Sequence, residues 1–270
     1  MPLTDLIRYF NTADSVGDTT LYPEGERAAA WHRGLRLGSL FQPIVDLPNE
    51  RIVGHQASLT ARQEDGTPVS SAAAYAMCET ADAVVHFDRL CRTLHALNFL
   101  AQRRHAGGYL QVPIHPRHLL AVQNQHGLVY EAILKRCGLA PEDIVLDIDA
   151  SEVEEPLRLV SALDNYRRRG YRLALQVPSE AALQPLLELK PEIVRFGYTP
   201  SAENVTTALE TSIAIEVSNI ETEEDFTQAR ERGFQLGLGS LFGPPQSDCR
   251  ATHSGHRVAY NASSPNGAPT

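Results

Sequence analysis

Long apolar runs are the first thing this chain lacks. No stretch approaches the roughly 18 consecutive apolar residues of a membrane span, and the N-terminus carries no basic segment followed by an apolar one, so neither a membrane helix nor a secretory signal is expected. Cysteine is scarce: Cys78, Cys91, Cys137 and Cys249 are the only four in 270 residues, and none forms a CxxC pair. Structural zinc wants paired ligands at short spacing and secreted scaffolds want dense cysteines; the expectation is free thiols in a reducing cytoplasm. Positive charge is short as well, with 24 Lys and Arg against 33 Asp and Glu and a net charge of −9. A broad grip on nucleic acid needs a basic face that displaces counterions, so direct nucleic-acid binding is not expected. The one basic cluster, Arg167-Arg168-Arg169, precedes Gly170, where cations in the last turn of a helix suffice to explain it. No GxSxG, GxGxxG or P-loop pattern is present, which removes the chemistries those turns serve.

What is present falls into three zones. Residues 1–38 open with Leu3, Leu6, Ile7 and Phe10, the stripe of an amphipathic helix; after a polar stretch, a second helical segment is expected over 27–37. Residues 39–246 alternate short apolar runs with helix-length segments: strands are predicted at 40–47, 52–59, 109–114, 144–148, 172–177, 193–196, 213–217 and 235–238. The first two lie a hairpin's spacing apart, and the later ones alternate with helices such as 152–169 and 221–232. Right-handed βα units with short buried strands imply a parallel sheet, and eight strands close a barrel. The fold class expected is therefore α/β, a (β/α)8 TIM-like barrel with one antiparallel strand and N-terminal helices. Residues 247–270, rich in Ser, Gly, Pro, Asn and His, have too little to bury and read as a flexible tail.

Two stretches carry a family resemblance. Leu40-Phe41-Gln42-Pro43-Ile44-Val45-Asp46-Leu47 followed by Ile52-Val53-Gly54-His55 resembles the opening hairpin of EAL-domain cyclic di-GMP phosphodiesterases. Glu221-Thr222-Glu223-Glu224 and Gly239-Ser240-Leu241-Phe242-Gly243-Pro244-Pro245 resemble that family's closing segment, so the resemblance spans roughly residues 38–246. It implies a barrel with metal-assisted phosphodiester hydrolysis, two Mg²⁺ or Mn²⁺ ions being held at the C-terminal ends of the strands.

The residues at the family's ligand positions depart from it. The Glu-Ala-Leu signature reads Gln56-Ala57-Ser58, and the Asn after the third strand reads Pro113. The Glu-x-x-Glu of the fourth strand reads Asp147 and Ala150, and the Asp-Asp of the fifth reads Gln176-Val177. The Lys of the sixth falls on Arg195 with Gly197 after it, and the Glu of the seventh falls on Ser218, ahead of Glu221. The Gln before the final glycine is Leu238, and the Arg after the signature is Thr60, with Arg62 two positions on. Closely spaced dications need several anionic ligands; only Asp147 keeps one, so no catalytic residue, metal or cofactor is expected. Gln42, Gln56, Asp147, Gln176, Arg195, Ser218 and Glu221 are taken as a vestigial pocket. Asp147 and Asp149 share a strand face, either as an ion or proton site or as polar caps at the strand end. His115 and His118 are three apart but have no third ligand near in sequence, and His253 and His256 fall in the tail.

What the resemblance implies for function is a catalytically inactive bacterial regulator in the cytoplasm, binding a transcription regulator or another signalling protein, with room for a homodimer. The alternative is a receptor that binds cyclic di-GMP without cleaving it, with Gln42 and Arg195 as partners for a guanine edge or a phosphate.

Overall fold

The computed structural model describes residues 3–13, 19–122, 128–149, 151 and 156–249. Helix α1 (Leu3–Ala13) precedes strands β1 (Thr19–Glu24), β2 (Arg27–His32), β3 (Leu35–Asp46), β4 (Arg51–Gln63) and β5 (Pro68–Val69). Then follow α2 (Ser71–Ala76), α3 (Ala81–Ala106), β6 (Tyr109–Pro113), α4 (Pro116–Ala121), α5 (Leu128–Cys137) and β7 (Ile144–Asp149). The remainder alternates: α6 (Val160–Arg168), β8 (Arg172–Val177), α7 (Leu183–Leu187), β9 (Ile193–Phe196), α8 (Ala202–Glu210), β10 (Ala214–Val217), α9 (Glu223–Glu231) and β11 (Leu236–Gly237). Ala150, His253 and His256 lie outside the described residues.

Eight strands close in the order β3-β11-β10-β9-β8-β7-β6-β4, with β4 returning to β3. β3 runs antiparallel to both β4 and β11 while the other neighbours are parallel, as the opening hairpin predicts. All eight predicted barrel strands are present. Gly239 shows how tightly the barrel closes: a Cβ there would lie 1.8 Å from the Ile220 carbonyl oxygen, so only glycine fits.

The second helix expected over 27–37 is not there. That stretch forms β2 and the start of β3, joined by a two-residue turn in which Arg33 (φ 48°) and Gly34 (φ 78°) both take positive φ. This is the turn whose twist suits a hairpin. The run Ala28-Ala29-Ala30 favours a helix locally, but pairing with β1 and β3 and burial of Ala28 and Ala30 outweigh that preference. β1, β2 and β5 thus extend the β3–β4 hairpin into a five-stranded antiparallel sheet beyond the barrel. The first residues of the expected tail are held as well: Gln102 bonds the Ser247 carbonyl and the Cys249 N–H, and Arg27 pairs with Asp248.

Two arginines of the basic run are absorbed by packing. Arg167 bonds Asp164 and the Leu189 and Lys190 carbonyls, and Arg169 pairs with Glu131 at 2.7 Å. Cys78 and Cys91 are buried and free, and Cys249 is half-buried and free. No helix among the described residues is long and apolar enough to cross a membrane.

One buried ionic network ties α2, α3 and α4 together. Asp88 accepts from Tyr75 Oη (2.9 Å), the His115 N–H (2.9 Å) and Arg92 Nε (2.9 Å), and His118 Nδ1 lies 3.0 Å from it. Arg92 is also stacked 4.5 Å from the centre of the Tyr130 ring. Burial alone would raise the Asp88 carboxyl, but Arg92, His118 and the His115 amide hold it well below the usual carboxylate range. Removing one member of such a network strands the others without water. Asp88→Ala should therefore cost on the order of 3–5 kcal/mol, lowering the melting temperature by about 10 °C, while Asp88→Leu with Arg92→Met should cost less. A melting temperature within about 2 °C of wild type for Asp88→Ala would contradict this.

Candidate functional site

The barrel interior is layered. Its lower layer is apolar and includes Ile44, Tyr109, Val145, Ala174, Ile193 and Leu238. Two residues on along β6, β7, β8 and β9, strand alternation brings Gln111, Asp147, Gln176 and Arg195 to the same interior face. β10 adds Glu216 and β4 adds Gln56. This polar layer faces the C-terminal ends of the parallel strands, where barrels of this kind place their sites.

Arg195 organises the layer. Its Nη1 donates to Asp147 Oδ2 at 2.5 Å and its Nη2 to Gln176 Oε1 at 2.7 Å. Gln56 Nε2 donates to the same Asp147 oxygen at 3.0 Å. Burial opposes the charge on Arg195, but the Asp147 and Glu216 carboxylates outweigh it and raise its pKa. Asp147 is 6% exposed, so it is an interior ion-pair member rather than a solvent-facing strand cap. Asp149 does act as a cap, its Oδ1 accepting the Ser151 N–H. Above the layer opens a cleft of about 220 Å³ lined in part by Tyr75, Pro113, His115, Asp147, Asp149 and Arg195.

Of the seven pocket residues proposed from sequence, Gln56, Asp147, Gln176 and Arg195 are joined by these bonds. Gln42 is the cross-strand partner of Gln56 and donates to the Gly243 carbonyl. Ser218 Oγ turns to the Phe196 carbonyl at 3.1 Å and lines a separate cavity with Asp225 and Arg232. Glu221 is exposed at the start of α9, its N–H bonded to Asp225, and takes no part in the cluster. Sequence reasoning missed Gln111 and Glu216. The signal was there: a carboxylate inside the apolar run 213–217, at the strand parity of Ser218, must face the barrel. His115 and His118 serve structure, His115 capping α4 through the Arg117 N–H and His118 lying buried against Asp88.

The donor set does not fit a two-ion centre. Gln56, Pro113, Gln176, Val177 and Ser218 offer no charge, and Asp147 Oδ2 is already shared by Arg195 and Gln56. Hard dications need several anionic oxygens. Among the described residues no group of three His, Cys, Asp or Glu is placed to hold a metal.

Glu216 is fully buried, with Gln111 Nε2 donating to its Oε1 at 3.1 Å. Among the described residues neither its Oε2 nor Gln111 Oε1 has a hydrogen-bond donor, so the ionised form of the carboxyl is poorly solvated there. Burial pushes Glu216 up to about 7, with Arg195 opposing and Asp147 adding to the rise. A carboxyl whose folded pKa exceeds its unfolded one binds an extra proton on folding, so stability is highest below the unfolded pKa and falls as pH rises through the folded value. Between pH 5 and 8 the wild type should lose on the order of 3 kcal/mol that Glu216→Gln keeps. Urea unfolding of both proteins at each pH checks this; parallel stability curves would contradict it.

The chain matches the EAL domain family model over residues 27–199. Solved structures with the same barrel include an EAL enzyme, Bd1971, bound to cAMP and cyclic di-GMP: TM-score 0.61, 18% identity, 78% of this chain and 62% of that one. Klebsiella pneumoniae BlrP1 with calcium and cyclic di-GMP gives 0.66 and 18%, covering 80% of this chain and 57% of that one. A standalone EAL protein from Vibrio cholerae bound to cyclic di-GMP gives 0.63 and 18%, covering 80% and 95%. The chain therefore spans less than two thirds of the first two of these proteins. None of the curated proteins matches it by sequence. With that family's model matched over more than half its length and the family's barrel as its fold, this protein belongs to the EAL domain family.

Proposed function

We propose that this EAL barrel does not hydrolyse cyclic di-GMP and acts as a bacterial cytoplasmic regulator by binding another protein, a transcription regulator or signalling partner. The observation that carries the reading is the Arg195 guanidinium bonded to Asp147 and Gln176. The one carboxylate retained at a ligand position is neutralised by a side chain of the same barrel, and a cation approaching it would meet a fixed positive charge. Hydrolysis in this family, as the resemblance implies, depends on two metal ions to activate water and stabilise phosphoryl charge; none of the neutral side chains here replaces that.

A second reading, a receptor for cyclic di-GMP, draws support from the cleft above Arg195 and from relatives solved with that nucleotide. Against it, the guanidinium is engaged inside the barrel and the neighbouring basic position is Thr60.

With Mn²⁺ or Mg²⁺, purified protein should release no linear dinucleotide from cyclic di-GMP, and calorimetry should give no dissociation constant below about 1 μM. Chelator-sensitive product that scales with protein would overturn the reading. Tight binding without turnover would decide for the receptor.

A further inference from the structure

The antiparallel strands projecting from the barrel present two unlike faces. Register puts Leu21, Ala30, Leu37 and Ala61 on one face, all buried, and α1 and α3 pack against these strands. The other face takes the alternate residues, with Thr20, Trp31, Arg36 and Arg62 in one row, all exposed. Tyr22, Gly38 and Thr60 share that face by alternation. Trp31 is 36% exposed and is the chain's only tryptophan. Gly38 keeps the floor low, since a Cβ there would sit 2.8 Å from Thr60 Oγ1. The result is a cleft of about 210 Å³ bordered by Arg27, Arg36 and Arg62.

The fold does not use all of the positive charge on this face. Arg36 and Arg62 are direct cross-strand partners, and like charges so placed destabilise a sheet. The chain has an excess of acid, with a net charge of −9, so three arginines against the single Glu24 round one cleft are a local excess of positive charge. Carboxylates of the chain already answer two of them: Arg36 pairs with Glu24 and Arg27 with Asp248. Arg62 donates to the Gly66 carbonyl, leaving its guanidinium charge for another anion. Trp, Tyr and Arg are the side chains that dominate binding energy at protein interfaces.

We propose that this sheet face docks a partner-protein segment that sets carboxylates beside an apolar side chain. The carboxylates meet Arg36 and Arg62, and the apolar group covers Trp31 and Tyr22. Residues 250–270 of the chain do not suit the cleft, since they hold Arg250, Arg257 and two histidines but no Asp or Glu. The proposal rests on the protein-binding reading above and adds the surface and the chemistry of the partner.

Because Trp31 is the sole tryptophan, its fluorescence in the full chain reports on this face. The probe is a peptide of about twelve residues alternating Glu and Leu, compared with its Lys–Leu counterpart and an oligothymidylate of similar length. The Glu–Leu peptide should give a saturable change, weaker at high salt and at least about tenfold weaker for Arg36→Ser/Arg62→Ser. That double variant should melt at or above the wild-type temperature. No saturable change, an equal response to the oligothymidylate, or undiminished binding by the double variant would overturn the proposal. So would a melting temperature lowered by more than about 4 °C, which would give the arginines to the fold. If the peptide fails while hydrolysis is absent, this surface falls and the non-hydrolysing reading stands; hydrolysis together with peptide binding has the opposite consequence.

Discussion

The pairing of Arg195 with Asp147 sets the chemistry of the whole barrel mouth. Two charges at 12% and 6% side-chain exposure are costly to take from water, and such a pair persists only where further hydrogen bonds satisfy both partners. Gln176 accepts from the guanidinium and Gln56 donates to the carboxylate. Both glutamines stand where the resemblance places metal-binding carboxylates. The neutral substitutions and the arginine are therefore one arrangement: a carboxylate at 56 or 176 would add negative charge beside Asp147, whereas the Gln56 amide donates to Asp147 and the Gln176 oxygen takes the second Arg195 nitrogen. In the same layer, burial raises the Glu216 carboxyl to about 7, which weakens its competition with Asp147 for Arg195 as pH falls below that value.

The rest of the molecule holds that layer in place from outside. The Asp88 network anchors α2 and the start of α4 to α3, and the same elements supply Tyr75, His115 and Pro116 to the rim of the cleft. The antiparallel extension is separate from this mouth in its chemistry. One of its faces is apolar and covered by helices, while the other is basic, aromatic and open. The barrel mouth is internally neutralised, and the outer sheet displays Trp31, Arg36 and Arg62; the docking proposal rests on that contrast.

Much of the barrel was legible in the sequence because periodicity and turn residues act locally. Short apolar runs at βα spacing gave every barrel strand, and the hairpin before Ile52 gave the antiparallel one. That Gln56, Gln176 and Ser218 are uncharged, where the resemblance implies carboxylates, is also read directly from the residues. What was not visible depends on contacts distant in sequence. The alanine run at 28–30 looks helical until β1 and β3 are there to pair with it. Asp147 looks like a strand-end cap until Arg195, 48 residues away, is brought to its oxygen. Ser218 and Glu221 match family positions by alignment of motifs, yet a hydrogen bond to Phe196 and the cap of α9 direct them elsewhere. Asp88 and Arg92 sit four apart on a helix, a spacing common on solvated faces, and only the packing of α4 and α5 makes them a buried pair.

The central claim is that a guanidinium has taken the place of metal charge at the mouth of this barrel. Titrating the protein with Mn²⁺ while recording the free-ion electron paramagnetic resonance signal tests it directly. The account predicts no saturable loss of signal below about 1 mM Mn²⁺, a binding energy of no more than about 4 kcal/mol, and no rise in melting temperature with the ion. Two equivalents of Mn²⁺ held at micromolar concentration, with a matching rise in melting temperature, would contradict it.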